Sequence, residues 1–160
     1  MSHTLWRIAT DTPDFEADDL TGKGAEITGG RWNPKGLPAV YASQSRALAC
    51  LETVVHLNAG GLPLNRYLVA IEVPDAVWSA AETLAPADLP VGWDAEPPGR
   101  ASLAWGADWL RARRSALLLL PSVIIPEERN ALINPRHPDA AKLVATKVRR
   151  WLYDPRLTQR

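Results

Sequence analysis

Apolar and polar positions alternate through "NRYLVAIEVP" (65–74), with Leu68 and Ala70 on one side and Val69, Ile71 and Val73 on the other. A period of two predicts a long strand, and Pro74 ends it. "TLWRIA" (4–9) reads as a shorter strand near the N-terminus, and "LPAVYAS" (37–43) as another, bounded by Pro and Ser. After Ser43 the period changes. Leu48, Leu51 and Val55 stand at i, i+3 and i+7, which places them on one face of a helix. That helix is expected over about 45–58, capped by Ser43 or Ser45 and stopped at "NAGG" (58–61). A second helix is expected over 101–113. "ALLLLPSVIIP" (116–126) has the unbroken apolar run of buried β structure, interrupted at Pro121. "EERN" (127–130) reads as a turn, "ALIN" (131–134) as a last short strand, and "PDAAKLVATKVRRWL" (138–152) as helix, or helix then strand. Residues 10–30 read as an ordered loop or short helix. Residues 75–99 read as a surface excursion rather than a linker, because Trp78, Leu84 and Trp93 are interspersed among its prolines.

Strands and helices are interspersed without a regular βαβ rhythm. The expected fold class is therefore α+β, a mixed or antiparallel sheet with flanking helices. A chain of 160 residues suits one domain, 1–160, with a real core. Apolar residues make up 46%, too many for a disordered chain.

Charge narrows the function classes. Eighteen basic residues balance eighteen acidic ones, so there is no net field for binding phosphate backbones. The short clusters "RARR" (111–114) and "KVRR" (147–150) read as solvated helix ends. The single cysteine, Cys50, permits no intrachain disulfide and reads as a small buried thiol. His3, His56 and His137 are scattered, so no metal-ligand spacing appears and no metal is expected. The N-terminus lacks the apolar run of a signal peptide, and no segment is long enough for a membrane span. A soluble, cytoplasmic protein is the expectation. "TGKGAEITGG" (21–30) is rich in glycine but fits neither a P-loop nor a dinucleotide-binding fingerprint.

The candidate chemistry lies in "GGRWNPKGLPAVYASQSRALACLETVVH" (29–56). Glu52 is four residues after Leu48, on or beside the apolar stripe, where a carboxylate is rarely buried unless paired. One reading puts it at the edge of the stripe, reaching water or a nearby Arg. The other points it into a cleft lined by Arg31 and Tyr41. An arginine fork suits phosphate, a tyrosine face suits an aromatic ring, and a carboxylate suits sugar hydroxyls and positive charge on a sugar carbon. Spacing leaves both readings open.

Three blocks, "GGRWNPKGLPAVYAS", "ALACLETVVH" and "LLLPSVIIPEERNALINPRHPDA", together with "LWRI", resemble the RES domain over about 5–155. The family is named for an Arg, a Glu and a Ser, matched here by Arg31, Glu52 and Ser122. The resemblance implies an ADP-ribosyltransferase-like fold and the toxin of a bacterial toxin–antitoxin pair. It implies NAD+ as the consumed substrate, cleaved at the nicotinamide–ribose bond. ADP-ribose would pass to an acceptor, with protein favoured over phosphate or water. It also implies a partner antitoxin with an Xre-like helix-turn-helix, and hence no direct contact with nucleic acid or membrane.

On that resemblance Arg31 would hold the pyrophosphate or nicotinamide ribose, and Tyr41 would stack on nicotinamide. Glu52 would bind ribose hydroxyls and stabilise the cation. Ser122 would offer a hydroxyl to ribose or amide. His56 could order Glu52 or touch the ligand, or be a surface histidine. Lys23 could reach a phosphate, or be a solvated loop lysine. Asn130 and Asn134 read first as turn-bonding residues and second as site residues. Two other function classes stand beside this one. A ribonuclease toxin would need a basic, His-rich cleft. A non-catalytic interaction module would use some of the seven Trp residues as a partner surface. Most of these Trp residues read as core.

Overall fold

In the computed structural model, which describes residues 2–57 and 62–158, the two longest strands set the frame. Ser2–Thr10 (β1) and Arg66–Pro74 (β3) pair antiparallel over their whole length, Ser2 opposite Pro74 and Thr10 opposite Arg66. Their alternation divides the sheet into two faces. Leu5, Ala9, Val69, Ile71 and Val73 are buried on one, and Ile8 and Leu68 on the other. The same rule carries across Val40–Ser43 (β2), Leu117–Pro121 (β5) and Arg129–Ile133 (β6). Val40, Ala42, Leu117, Leu119, Ala131 and Ile133 join the first face. Tyr41, Leu118, Leu120 and Leu132 join the second. With Glu82–Thr83 (β4) and Val144–Arg150 (β7) the sheet has seven strands in the order β4-β5-β6-β2-β1-β3-β7. β4 and β5 run parallel, and every other adjacent pair for which a register is defined is antiparallel. This is the mixed sheet that the sequence leads one to expect.

The helices differ in what they cover. Asp75–Ser79 (α3) packs Val77 on the first face. Arg46–Val54 (α2) is capped by Ser45, whose side chain accepts from the Leu48 N–H at 3.1 Å. It lays Ala49, Cys50 and Val54 over Ile8 and Leu68, on the β1–β3 half of the second face. Arg100–Ala112 (α4) lays Trp109 and Leu110 over Leu118, Leu120 and Leu132, on the β5–β6 half. Two separate apolar clusters therefore share one face, and β2 lies between the strands they cover. Gly106 lets α4 sit this close, because a Cβ there would lie 1.8 Å from the Trp32 carbonyl oxygen. Lys23–Thr28 (α1) precedes the loop that carries Arg31.

Several expectations need correction. The 75–99 segment is not only a surface excursion: it contributes α3, β4 and the short turn Pro86–Asp88, and it buries Trp93. β6 begins at Arg129, inside the segment read as a turn, because Pro121 pairs with Arg129 and the chain reverses earlier. "ALIN" is not the last strand, since β7 follows the turn Pro138–Lys142 and holds the sheet edge beside β3. "KVRR" thus lies in a strand and not at a helix end. α2 stops at Val54, where i+3 bonds from His56 and Leu57 tighten the chain. Val55 is exposed rather than part of the buried stripe, and Leu48 and Ala49 carry that burial. The expected stop at "NAGG" (58–61) lies outside the described residues. Among the seven Trp residues none is fully exposed, and Trp32, Trp93 and Trp109 are buried.

Candidate active site

Ser122 is fully buried at the end of β5, just past Pro121. The chain turns sharply there, and the N–H groups of Ile124 and Ile125 point back at the Ser122 hydroxyl, at 3.1 and 3.2 Å. A hydroxyl has two lone pairs and one proton. With both lone pairs taken by backbone donors, the proton is left for another acceptor, and it goes to Glu52 Oε1 at 2.6 Å. The turn-bonding reading of Ser122 therefore holds, and its hydroxyl, with both lone pairs and its proton engaged, serves Glu52 and is not offered to a ribose or amide as the resemblance implied.

Asn130 completes the arrangement from the next strand. Its Nδ2 donates to the same Glu52 oxygen at 2.7 Å. Its Oδ1 accepts from Ser43 Oγ at 2.7 Å. Ser43 and Asn130 are register partners in the β2–β6 pair, so sheet pairing itself delivers the amide to the carboxylate. The direction of the amide follows from chemistry, because a carboxylate oxygen takes donors and the Ser43 hydroxyl supplies one. Glu52 projects from α2 and is partly buried. Its Oε1 holds two donors, and among the described residues no group donates to Oε2. The result is a carboxylate fixed at one oxygen, with no donor at the other among the described residues.

Tyr41 lies two residues before Ser43, on the same sheet face and beside the same gap. Its hydroxyl is engaged inside the fold. It donates to Asn33 Oδ1 at 2.5 Å and accepts from the Trp32 N–H at 3.0 Å. Burial pushes the phenol well above its ordinary value, against the opposing pull of those two partners and the Arg31 charge. The approach is close enough that Gly30 is required: a Cβ there would stand 2.6 Å from the hydroxyl. Tyr41 thereby tethers the loop that carries Arg31. Arg31 itself donates from Nη1 to the carbonyls of Trp93 (3.0 Å) and Ala95 (2.7 Å), and from Nη2 to Glu96 at 2.7 Å.

The structure thus joins Glu52 directly to Ser122, sets Tyr41 beside them, and links Arg31 through Trp32 and Asn33. It separates the other two candidates. His56 lies past the end of α2, exposed, and its side chain makes no hydrogen bond or ion pair among the described residues. Lys23 is exposed at the start of α1. It lines a different, open groove of about 860 Å³ with Glu26, Pro38, Pro135, Arg136 and His137. That groove lies at the Val40–Ile133 end of the β2–β6 pair, and Glu52 meets the Ser43–Asn130 end. Asn134 is a turn residue, donating to the Leu110 carbonyl and accepting from the Arg136 N–H. Asn130 is not, and Ser43, first read as a possible helix cap, belongs with it. Their sole sequence signal is alternation, which puts Ser43 on the same side as Tyr41. Among the described residues no group of three or more His, Cys, Asp or Glu is placed to hold a metal ion, and no helix is long and apolar enough to cross a membrane.

The fold resembles that of a solved toxin–antitoxin complex. The crystal structure of the M. tuberculosis MbcT–MbcA toxin–antitoxin complex contains a chain that superposes with a TM-score of 0.67 over 93% of this chain and 85% of that one. At 19% identity the likeness speaks for the fold. The RES domain model matches residues 4–155, and the chain belongs to the RES domain family. It is 65% identical over 160 residues to the Prs ADP-ribosylating toxin of Sphingobium sp. strain YBL2, covering all of this chain and 99% of that one. It is 39% identical over 144 residues to Toxin Res of Yersinia enterocolitica, covering 89% of this chain and 93% of that one. It is 39% identical over 138 residues to Toxin Res of Pseudomonas putida, covering 85% and 87%.

Proposed function

We propose that this protein is the toxin of a toxin–antitoxin pair, working in the cytoplasm as one RES-type unit over residues 1–160, and that it consumes NAD+ and passes ADP-ribose to an acceptor protein. The observation that carries the reading is the Glu52 carboxylate, held at Oε1 by Ser122 and Asn130, with no donor at Oε2 among the described residues. The names of the relatives from Sphingobium, Yersinia and Pseudomonas support it.

The chemistry asks little of the protein, which fits the small number of groups assembled. The bond between the ribose anomeric carbon and the nicotinamide nitrogen breaks, and its electron pair neutralises the ring that leaves. No general acid is needed. Positive charge develops on the ribose, and the Glu52 oxygen that no described residue engages would take a ribose hydroxyl and stabilise that charge. The acceptor's nucleophile then supplies the new electron pair and sheds its proton. Ser122 and Asn130 hold the carboxylate so that it need not reorganise as charge appears. Tyr41 presents its ring face to nicotinamide, its hydroxyl being already engaged. Arg31 serves the pyrophosphate. No step calls for a metal.

A protein acceptor is favoured because the Sphingobium relative is named for ADP-ribosylation, and Prs is the first acceptor to try. The partner is an antitoxin, with an Xre-like helix-turn-helix as the resemblance implies. The purified chain, given NAD+, should release nicotinamide, and label from the adenine end of NAD+ should appear on Prs. Glu52→Gln keeps an acceptor oxygen for Ser122 and Asn130, so it should fold. It should lose about 2–4 kcal/mol of transition-state stabilisation, roughly a thirtyfold to thousandfold drop in turnover. Unchanged nicotinamide release by that variant would remove Glu52 from the chemistry.

A further inference from the structure

The guanidinium of Arg31 is only partly occupied. Both Nη1 donors are used, at the Trp93 and Ala95 carbonyls, and Nη2 gives one hydrogen to Glu96 Oε2. No group among the described residues accepts from Nε. Nε and one Nη2 hydrogen remain as donors of the kind that match phosphate oxygens. The side chain of Arg31 is 14% exposed and that of Glu96 is 68% exposed, so the acid reaches in from outside.

The segment that supplies these acceptors is built to stay in place. Turns closed by Trp93 N–H to the Pro90 carbonyl (3.1 Å) and Ala95 N–H to the Gly92 carbonyl (3.2 Å) fold it tightly, and Gly92 takes a left-handed φ of 90°. Trp93 is buried. Its ring stacks on Trp32, the residue after Arg31, at 6.3 Å between centroids and 21° between planes. One residue thus fastens the segment to the Arg31 loop by its ring and orients the guanidinium by its carbonyl.

From this geometry we infer that Pro90–Glu96 is a clasp that positions Arg31 for the substrate's pyrophosphate, with Trp93 as its anchor and Glu96 as its outer positioning residue. The inference rests on the reading of Arg31 as the pyrophosphate ligand. A flexible arginine loses rotamer freedom when it takes up a ligand, and a clasp that has already fixed its plane removes part of that cost. Glu96 acts on binding and not on the bond that breaks, so its effect belongs in KM.

The test uses the purified full chain and the NAD+ dependence of nicotinamide release. Glu96 is exposed, so its variants should fold. Loss of one exposed, charge-assisted contact should raise KM in Glu96→Ala by about threefold to fivefold with kcat within about twofold. Glu96→Gln, which keeps an acceptor oxygen without the charge, should restore KM to near the parent value. A KM in Glu96→Ala that is unchanged or lower, or an effect confined to kcat, overturns the clasp. Arg31→Ala separates the role of Arg31 from that of the clasp. An unmoved KM there sinks the assignment of Arg31 itself, whereas a raised KM there beside an unmoved Glu96→Ala sinks only the clasp.

Discussion

Asn130→Asp is the sharpest test of the proposed site, because it changes charge with almost no change of shape. In the parent an amide N–H donates to Glu52 Oε1 at 2.7 Å. The substitution puts a carboxylate oxygen in that place. Two carboxylates with charge centres about 4 Å apart repel by about 4 kcal/mol at the effective dielectric of a partly exposed site. The lost bond to a charged group is a further cost of about 1.5–3 kcal/mol, though the two figures describe overlapping effects. Acting wholly on the transition state, about 4 kcal/mol is roughly a thousandfold in rate. Some repulsion is relieved as the two groups move apart, so the expected loss near neutral pH is at least about a hundredfold. Acidification supplies a signature that simple damage would not. A proton shared between the two carboxyls restores an O–H donor where the N–H had been, so the variant should recover activity relative to the parent as pH falls. Nicotinamide release by both proteins over about pH 5 to 8 reads this directly. Full activity at neutral pH, or a uniform loss across that range, would refute the idea that Asn130 acts by donating to Glu52.

Two further predictions concern the frame around the site. Gly106→Ala brings a Cβ to 1.8 Å from the Trp32 carbonyl oxygen. The overpacking should cost about 3 kcal/mol, more than the roughly 1 kcal/mol that alanine gains in a helix. Tm should then fall by several degrees in a thermal melt, and a variant as stable as the parent would mean that α4 does not press on the Arg31 loop as described. Tyr41→Phe removes a donor and an acceptor, and should lower stability near neutral pH by about 2 kcal/mol in urea unfolding. It should also change the alkaline limb. In the parent the folded state holds the phenol's proton above the ordinary value, so this contribution is fully present below about pH 10 and is lost as pH rises beyond it, by up to about 1.4 kcal/mol per pH unit. The variant should lack that part of the slope, and identical alkaline slopes would show that Tyr41 is not the group responsible.

Much of the frame is local and was therefore legible in the sequence. Period-two alternation placed β3, short apolar segments marked β1 and β2, and a capping serine ahead of a helical stripe placed α2. These patterns encode burial, and burial is what each segment must satisfy on its own. Glu52 was conspicuous for a related reason, since a carboxylate beside an apolar stripe demands a partner. Which partner was a long-range question. Ser122 and Asn130 lie 70 and 78 residues away in the chain, and nothing near Glu52 specifies them. Strand register decided it: the pairing of Ser43 with Asn130 turned an asparagine that read as a turn residue into a donor at the carboxylate. The packing of the turn at Gly22 against Ala39 and Pro135 set Lys23 beyond the far end of the strand pair, and the early stop of α2 left His56 in solvent. The proline-containing stretch around Trp93 looked like surface, because its turns carry no periodicity. Its burial comes from stacking on Trp32, and the carbonyls it thereby aims at Arg31 are backbone groups that side-chain identity does not reveal. The sequence by itself determined which segments are strands and helices and which few residues could carry chemistry, since hydrophobic period and capping act within one element. Tertiary structure alone decided which of those residues meet, because contacts across a sheet depend on register and loop closure, and neither is written in any single segment.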